Sequence, residues 1–171
     1  DGTLTLTGNG RMNDYSNISA PWYKYIDSIK KIVVSEGITT IGSYAFVRCK
    51  LATEITLPST LKEIHTYGFD NCRSVKQLNL PYGLTRIDTN AFSECVALTR
   101  IELPDTVTTV GSSVFSTCTK LSYVKLSAGM KSIPDSMFFN MDSLTTVIIP
   151  DGITEIGDTV FRGSDGIKSI T

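Results

Sequence analysis

The stretch "FSECVALTRIELPDTVTTVGSSVFSTC", residues 92–118, ends on the pattern with which it begins. Phe92 and Cys95 stand three residues apart at its start, and Phe115 and Cys118 three apart at its end. The pair occurs upstream as Phe46 with Cys49 and Phe69 with Cys72. Downstream, Phe138 and Phe161 continue the series, with Met141 and Ser164 in the cysteine place. The six phenylalanines are separated by intervals of 23 residues. A fixed period in that range decides the architecture before local propensities matter, because it makes each segment one unit of a stack.

Inside one period, Leu98, Ile101 and Leu103 are apolar and Pro104 follows. Other copies carry Ala52, Ile55, Leu57, Pro58; Val75, Leu78, Leu80, Pro81; Leu121, Val124, Leu126, Ser127; and Leu144, Val147, Ile149, Pro150. The last two apolar residues lie two apart and share one face of a strand. Proline then ends the strand, since it lacks the N–H that a ladder uses. The L-x-x-[ILV]-x-L string is the strand of a leucine-rich repeat. Strands are expected to start near Ile29, Ala52, Val75, Leu98, Leu121, Leu144 and Ile167.

Past the proline comes a second apolar pair: Ile38 and Ile41, Leu61 and Ile64, Leu84 and Ile87, Val107 and Val110, Met130 and Ile133, Ile153 and Ile156. It reads as an extended return segment on the opposite side of the coil. Three residues before each phenylalanine stand Ser43, Thr66, Thr89, Ser112, Asp135 and Asp158. All six are good helix N-caps, so each Phe/Cys pair is expected on a short helical turn, where positions three apart share a face. The expected fold is therefore an α/β solenoid. It is a right-handed leucine-rich repeat coil with 23-residue rungs, a parallel sheet on one side and short helical turns at the corners. No rung buries its apolar face alone; stacked rungs share one core.

Residues 1–28 fall outside the period and are expected to form an N-terminal cap, with the solenoid, about six repeats, occupying 29–171. Gly8, Asn9 and Gly10 signal a turn. They make a poor dinucleotide fingerprint, because no helix with a third glycine follows. Trp22, within an aromatic cluster with Tyr15, Tyr23 and Tyr25, reads as a plug over the core, with a sugar-stacking platform as the alternative. At the other end, the chain stops at Thr171 within the seventh strand. Either it is cut from a longer protein, or its last rung packs on another chain or domain.

Sixteen basic and 17 acidic residues nearly cancel among 171, leaving no basic excess to hold a nucleic acid backbone. No apolar run approaches the ~18 residues of a membrane span. The four cysteines recur once per rung, which fits small buried side chains stacked in the core. Disulfides between neighbours and a metal site are the alternatives. Parallel Cβ vectors suit a bridge poorly; zinc needs four convergent ligands, and His65 is the sole histidine.

The rung "CxxLxx[IV]x[IL]Pxx[VL]xxIGxxAFxxC" resembles the BspA-like leucine-rich repeats of bacterial surface proteins, and the opening "GTLTLTGNGRMNDY" is similar to the region that often precedes them. The resemblance covers essentially the whole chain. It implies an exported protein exposed at the cell surface, secreted or anchored, with an adhesive or host-contact role. The departures are Met141 and Ser164 for cysteine, Ala52 for the strand leucine and Ser127 for proline. The family has no common catalytic motif, and membership assigns no ligand.

Nucleophilic catalysis of the usual kind needs a base beside a serine or cysteine. His65 occupies a corner position that holds Gly, Asp or Pro in other rungs, and reads as a surface residue. No carboxylate pair, phosphate loop or cofactor motif stands out, so no enzyme and no cofactor is expected. What remains is a surface. One outward column down the sheet reads Lys31, Glu54, Gln77, Arg100, Tyr123, Thr146, Ser169; the next reads Val33, Thr56, Asn79, Glu102, Lys125, Ile148, Thr171. Such pairs keep a sheet soluble and in register. Alternatively Arg100, Glu102, Tyr123 and Lys125 form a binding patch, since solenoids bind on such faces and Arg and Tyr are enriched at hot spots. The candidate functions are a non-enzymatic module that binds an extracellular protein or glycan, and a structural spacer within a larger surface protein.

Overall fold

The computed structural model describes residues 1–170; Thr171, which closes the second outward column, lies outside the described residues. The chain is a stack of parallel coils. Strands Lys31–Val34, Glu54–Thr56, Arg100–Glu102, Tyr123–Lys125, Thr146–Ile148 and Ser169–Ile170 form the front. Their partners are one period apart: Lys31 with Glu54, Arg100 with Tyr123, Tyr123 with Thr146 and Thr146 with Ser169. The inward residues Ile32, Ile101, Val124 and Val147 are at most 1% exposed. They are β-branched and suit a crowded pleated face.

The return segments are also parallel ladders, so the solenoid carries sheets on two sides. Ile38–Ile41, Glu63–Ile64, Arg86–Ile87 and Thr109–Val110 pair in sequence, and Ser132–Ile133 pairs with Glu155–Ile156. The back ladder stops between Thr109–Val110 and Ser132–Ile133. The rung bond at this point runs from Asp88 N to Ile64 O, from Gly111 N to Ile87 O and from Gly157 N to Ile133 O. Pro134 holds the donor position in the intervening rung and has no N–H to give.

The corners differ from the expected short helices. They are chains of tight turns, and the only helix among the described residues is a 3-10 segment, Tyr23–Ser28. In the first corner Ala45, Val47 and Cys49 donate to carbonyls three residues back, while Tyr44, Phe46 and Arg48 donate to Thr66, Gly68 and Asp70 of the next rung. A helix would spend every N–H within its own turn; here alternate donors hold the stack together. Left-handed residues interrupt any helical run. Tyr44, Tyr67, Asn90, Ser113, Ser136 and Thr159 have φ of 55–59°. The expected cap residues work between rungs as well, and the carbonyls of Thr66, Thr89, Ser112, Asp135 and Asp158 each accept from the rung before. At Gly111 a Cβ would lie 2.3 Å from the Thr89 amide nitrogen, so glycine alone permits this approach.

The six phenylalanine rings stack in one column at centroid separations of 5.1–6.5 Å. Five are buried and Phe161, in the last full corner, is half-buried. Trp22 heads the column, 5.7 Å from Phe46, and its Nε1 donates to the Ala45 carbonyl at 2.7 Å. Tyr15 meets the indole edge-on at 5.3 Å. One indole face is thus spent on Phe46, which removes that face from any sugar. Residues 1–28 extend the stack by another coil: Thr3–Leu6 pairs with Lys31–Val34, and Gly10–Arg11 with the start of the first return strand.

All four cysteines are free and buried. Size is not the sole reason for their recurrence. The thiols of Cys72, Cys95 and Cys118 point to the carbonyls of Phe46, Phe69 and Phe92 at 3.2–3.4 Å. Ser164, which departs from the cysteine pattern, donates to the Phe138 carbonyl at 2.5 Å and so preserves the bond. Ser127, which departs from the proline pattern, is fully buried and donates to Val107 O at 2.6 Å. Cys95→Ser should therefore keep most of the stability, while Cys95→Ala, which leaves the Phe69 carbonyl with the Cys72 N–H alone, should lose about 0.5–1.5 kcal/mol. Urea unfolding of the two variants checks this; equal losses would show that only volume matters at the site.

Candidate functional site

The outward face of the front sheet brings Arg100, Glu102, Tyr123 and Lys125 together on adjacent strands, with Arg100 beside Tyr123 and Glu102 beside Lys125. The Arg100 guanidinium carbon lies 3.6 Å from the Tyr123 ring centroid. Such an exposed cation–π contact is worth roughly 0.5–1 kcal/mol. Arg100 also donates to Glu102 two residues along its own strand. Glu102 therefore pairs within its strand, and Lys125 makes no ion pair among the described residues. Further up the face, Lys31 and Glu54 form a bridge at 2.6 Å.

Tyr82 is a member of this surface that sequence reasoning missed. It is 76% exposed, in the loop between residues 76–80 and the return strand Arg86–Ile87, where other rungs carry Glu36, Ser59, Asp105, Ala128 and Asp151. An aromatic side chain where the equivalents are Glu, Ser, Asp or Ala was the available signal. Tyr82 borders a shallow groove of about 280 Å³ with Glu102, Asp105 and Lys125. Its backbone is fixed, because Thr106 Oγ1 donates to the Tyr82 and Leu84 carbonyls.

His65 is not a surface residue. It is 8% exposed and held between two carboxylates, with Nδ1 2.8 Å from Asp14 Oδ1 and Nε2 2.9 Å from Glu63 Oε2. Burial alone would lower its pKa, but the bonds to Glu63 and Asp14 raise it above the usual 6.5. Asp14 in turn is brought down to about 2 by the Ser43 N–H and by His65. The grouping ties residues 1–28 to the second return strand and has no nucleophile as a member. Asp70, at a corner, is pushed up to about 6 by burial and by the nearby Glu94.

The thiols are unsuited to nucleophilic chemistry. Burial pushes Cys49 and Cys95 up to about 12 and Cys72 and Cys118 well above their ordinary range, and the thiolate is the reactive form. No group of three or more His, Cys, Asp or Glu among the described residues is arranged to hold a metal. No helix among them is long and apolar enough to cross a membrane.

A coil of parallel strands with leucine-rich strand strings, a shared core and an open polar face defines a leucine-rich repeat solenoid. The chain belongs to the family of BspA type leucine rich repeat regions, whose model matches six copies over residues 16–129 and 39–168. Its fold is similar to that of a leucine-rich repeat protein of T. pallidum, at 25% identity and a TM-score of 0.88, covering 97% of this chain and 78% of that one. It is also similar to a leucine-rich cell surface protein of Faecalibacterium prausnitzii, at 25% identity and a TM-score of 0.85, covering all of this chain and 47% of that one. A leucine-rich repeat protein of Bacteroides ovatus, at 22% identity, shares the fold with a TM-score of 0.87 over 99% of this chain and 45% of its own. The chain thus spans less than half the length of the last two. Among curated proteins there is no significant match.

Proposed function

We propose that this chain is a non-enzymatic binding module, exposed on a bacterial surface, that recognises an extracellular protein or glycan through its front sheet. The observation that carries the reading is the Arg100–Tyr123 stack beside Glu102 and Lys125, with the exposed ring of Tyr82 at its edge. Arg and Tyr dominate binding energy where they are pre-positioned, and the stack fixes the Arg100 side chain before any ligand arrives. Membership in the BspA-type family and likeness to a cell-surface protein support the location.

A second reading is a spacer within a larger surface protein. Two observations favour it: the charged pairs on the face satisfy one another, and two structural relatives are more than twice as long as this chain.

Arrays of glycans and extracellular proteins separate the two. The binding reading expects a saturable hit whose affinity falls roughly tenfold or more with Arg100→Glu or Tyr123→Ala, while stability falls by no more than about 1 kcal/mol. A hit untouched by both substitutions would remove the patch, and silent arrays would favour the spacer.

A further inference from the structure

The front sheet is split. Strand Glu54–Thr56 closes one sheet of three strands, and Arg100–Glu102 opens another of four. Between them residues 76–80 make a single bridge, Gln77 with Arg100, and no pairing with residues 53–57. Elsewhere Thr53, Thr99, Ser122 and Thr145 each donate N–H to the carbonyl one period back; among the described residues Lys76 makes no such bond to Thr53. The bonds from Leu103 N to Lys125 O and from Leu126 N to Ile148 O have no counterpart at Leu57 or Leu80. The back ladder and the aromatic column stay intact at this level, with Glu63 paired to Arg86 and Phe69 stacked on Phe92. Only the front opens.

The residues give the reason. Leu78 stands where other rungs hold β-branched Ile or Val, and Gln77 and Asn79 flank it; none of the three favours a strand. Ala52 and Val75 replace the leucine that begins later strands, so smaller side chains support the sheet beneath the split. Thr53, Thr99, Ser122 and Thr145 reinforce their rungs with a hydroxyl bond to a carbonyl one period back, and Lys76 has no hydroxyl to give.

The opening is a groove of about 650 Å³ between Thr53–Leu57 and Lys76–Asn79. Ile55 and Leu57 are half-buried there, whereas Ile101 and Leu103 in the equivalent places are 1% exposed. The walls carry backbone donors and acceptors with no partner across the gap. Glu54 on one lip is neutralised by Lys31; Lys76 on the other makes no ion pair among the described residues. An apolar floor, unpaired strand edges and one free cation together fit one kind of occupant.

We propose that this groove binds an extended polypeptide segment, with apolar side chains toward Ile55 and Leu57, backbone groups on the open strand edges and a carboxylate on Lys76. Strand addition draws its affinity from main-chain bonds and its selectivity from alternate side chains. A glycan fits less well, because no aromatic ring lines the groove to stack a sugar. The site shares no residue with the Arg100–Tyr123 patch and stands whether or not that patch binds anything.

The test uses the whole chain labelled with nitrogen-15 and the peptide acetyl-Thr-Val-Glu-Val-Thr-Val-Asp-amide. Saturable amide shifts are expected at residues 53–57 and 76–80. Lys76→Glu, or a peptide with lysine for its acidic residues, should weaken binding roughly tenfold. N-methylation of alternate peptide amides should abolish it. Leu78→Val, which restores a β-branched residue, should close the groove and weaken binding in a chain that still folds. Absence of saturable shifts at millimolar peptide, equal binding of the N-methylated peptide, or the same shifts with cellohexaose in place of peptide would each overturn the proposal.

Discussion

Phe92→Ala is expected to lower the free energy of unfolding by about 3–5 kcal/mol, the cost of removing a fully enclosed aromatic side chain. The ring is 1% exposed and lies 5.7 Å from Phe69 and 5.9 Å from Phe115. Alanine therefore removes two aromatic contacts, each worth about 0.5–1.5 kcal/mol beyond area burial, as well as the transfer energy of the side chain. Neighbouring rungs have little freedom to collapse into the hole, because corner bonds and the back ladder fix their spacing. Phe161→Ala should cost less, since that ring is half-buried and is stacked through Phe138 alone. The stack is close to one-dimensional, so a break at Phe92 should also uncouple its two halves and lower the denaturant m value. Urea unfolding of both variants measures both effects. Equal costs at the two positions would show that the column does not act as a packed unit.

Stability should also depend on pH through the His65 clasp. The folded pKa of His65 is raised, so its contribution is complete below the ordinary value of about 6.5 and disappears as pH rises through the folded value. Asp14 is held down to about 2; its contribution is complete above its ordinary range and disappears as pH falls through about 2. The clasp is thus strongest between roughly pH 4 and 6. The groups acting on His65 are Glu63, Asp14 and Asp88, and Arg11 and Arg86 act on Glu63. Asp70, raised to about 6, disfavours the fold increasingly as pH rises from its ordinary range to that value, so the wild-type profile mixes both effects. The difference between the wild type and His65→Gln isolates the histidine. Roughly 2 kcal/mol should separate them at pH 5, allowing for carboxylates that turn to water once the imidazolium is gone, and the gap should narrow by pH 8. A gap that does not change with pH would contradict a charged clasp.

The period made most of the fold legible in the sequence. An offset of 23 residues converts directly into neighbours, which is why Lys31 beside Glu54 and Arg100 beside Tyr123 could be read before any coordinates. The corners were misread because their left-handed residues are almost all Tyr, Asn, Ser, Thr, Arg or Glu, with glycine only at Gly163, while the Ser, Thr and Asp before them imitate helix caps. Cys95 looked like a small filler because its bond to the Phe69 carbonyl runs between rungs. His65 looked exposed because Asp14, its partner, lies in the irregular first coil, outside any period. The candidate surface was only partly visible: Arg100 and Tyr123 follow from register, whereas Tyr82 and the split at Lys76–Leu80 arise where one rung departs weakly from its neighbours.

Excising residues 93–115, so that Phe92 runs into Ser116, tests the account most directly. The junction reads Phe-Ser-Thr-Cys and keeps every later rung in register. If the rungs are equivalent units, the shortened chain keeps its circular dichroism per residue and a cooperative unfolding transition. Solution scattering should then show a particle shorter by one strand spacing, about 4.8 Å. A control lacking only residues 93–104, about half a rung, should fail to fold. Loss of folding in both deletions, or retention in both, would contradict a stack built on a single repeating coil.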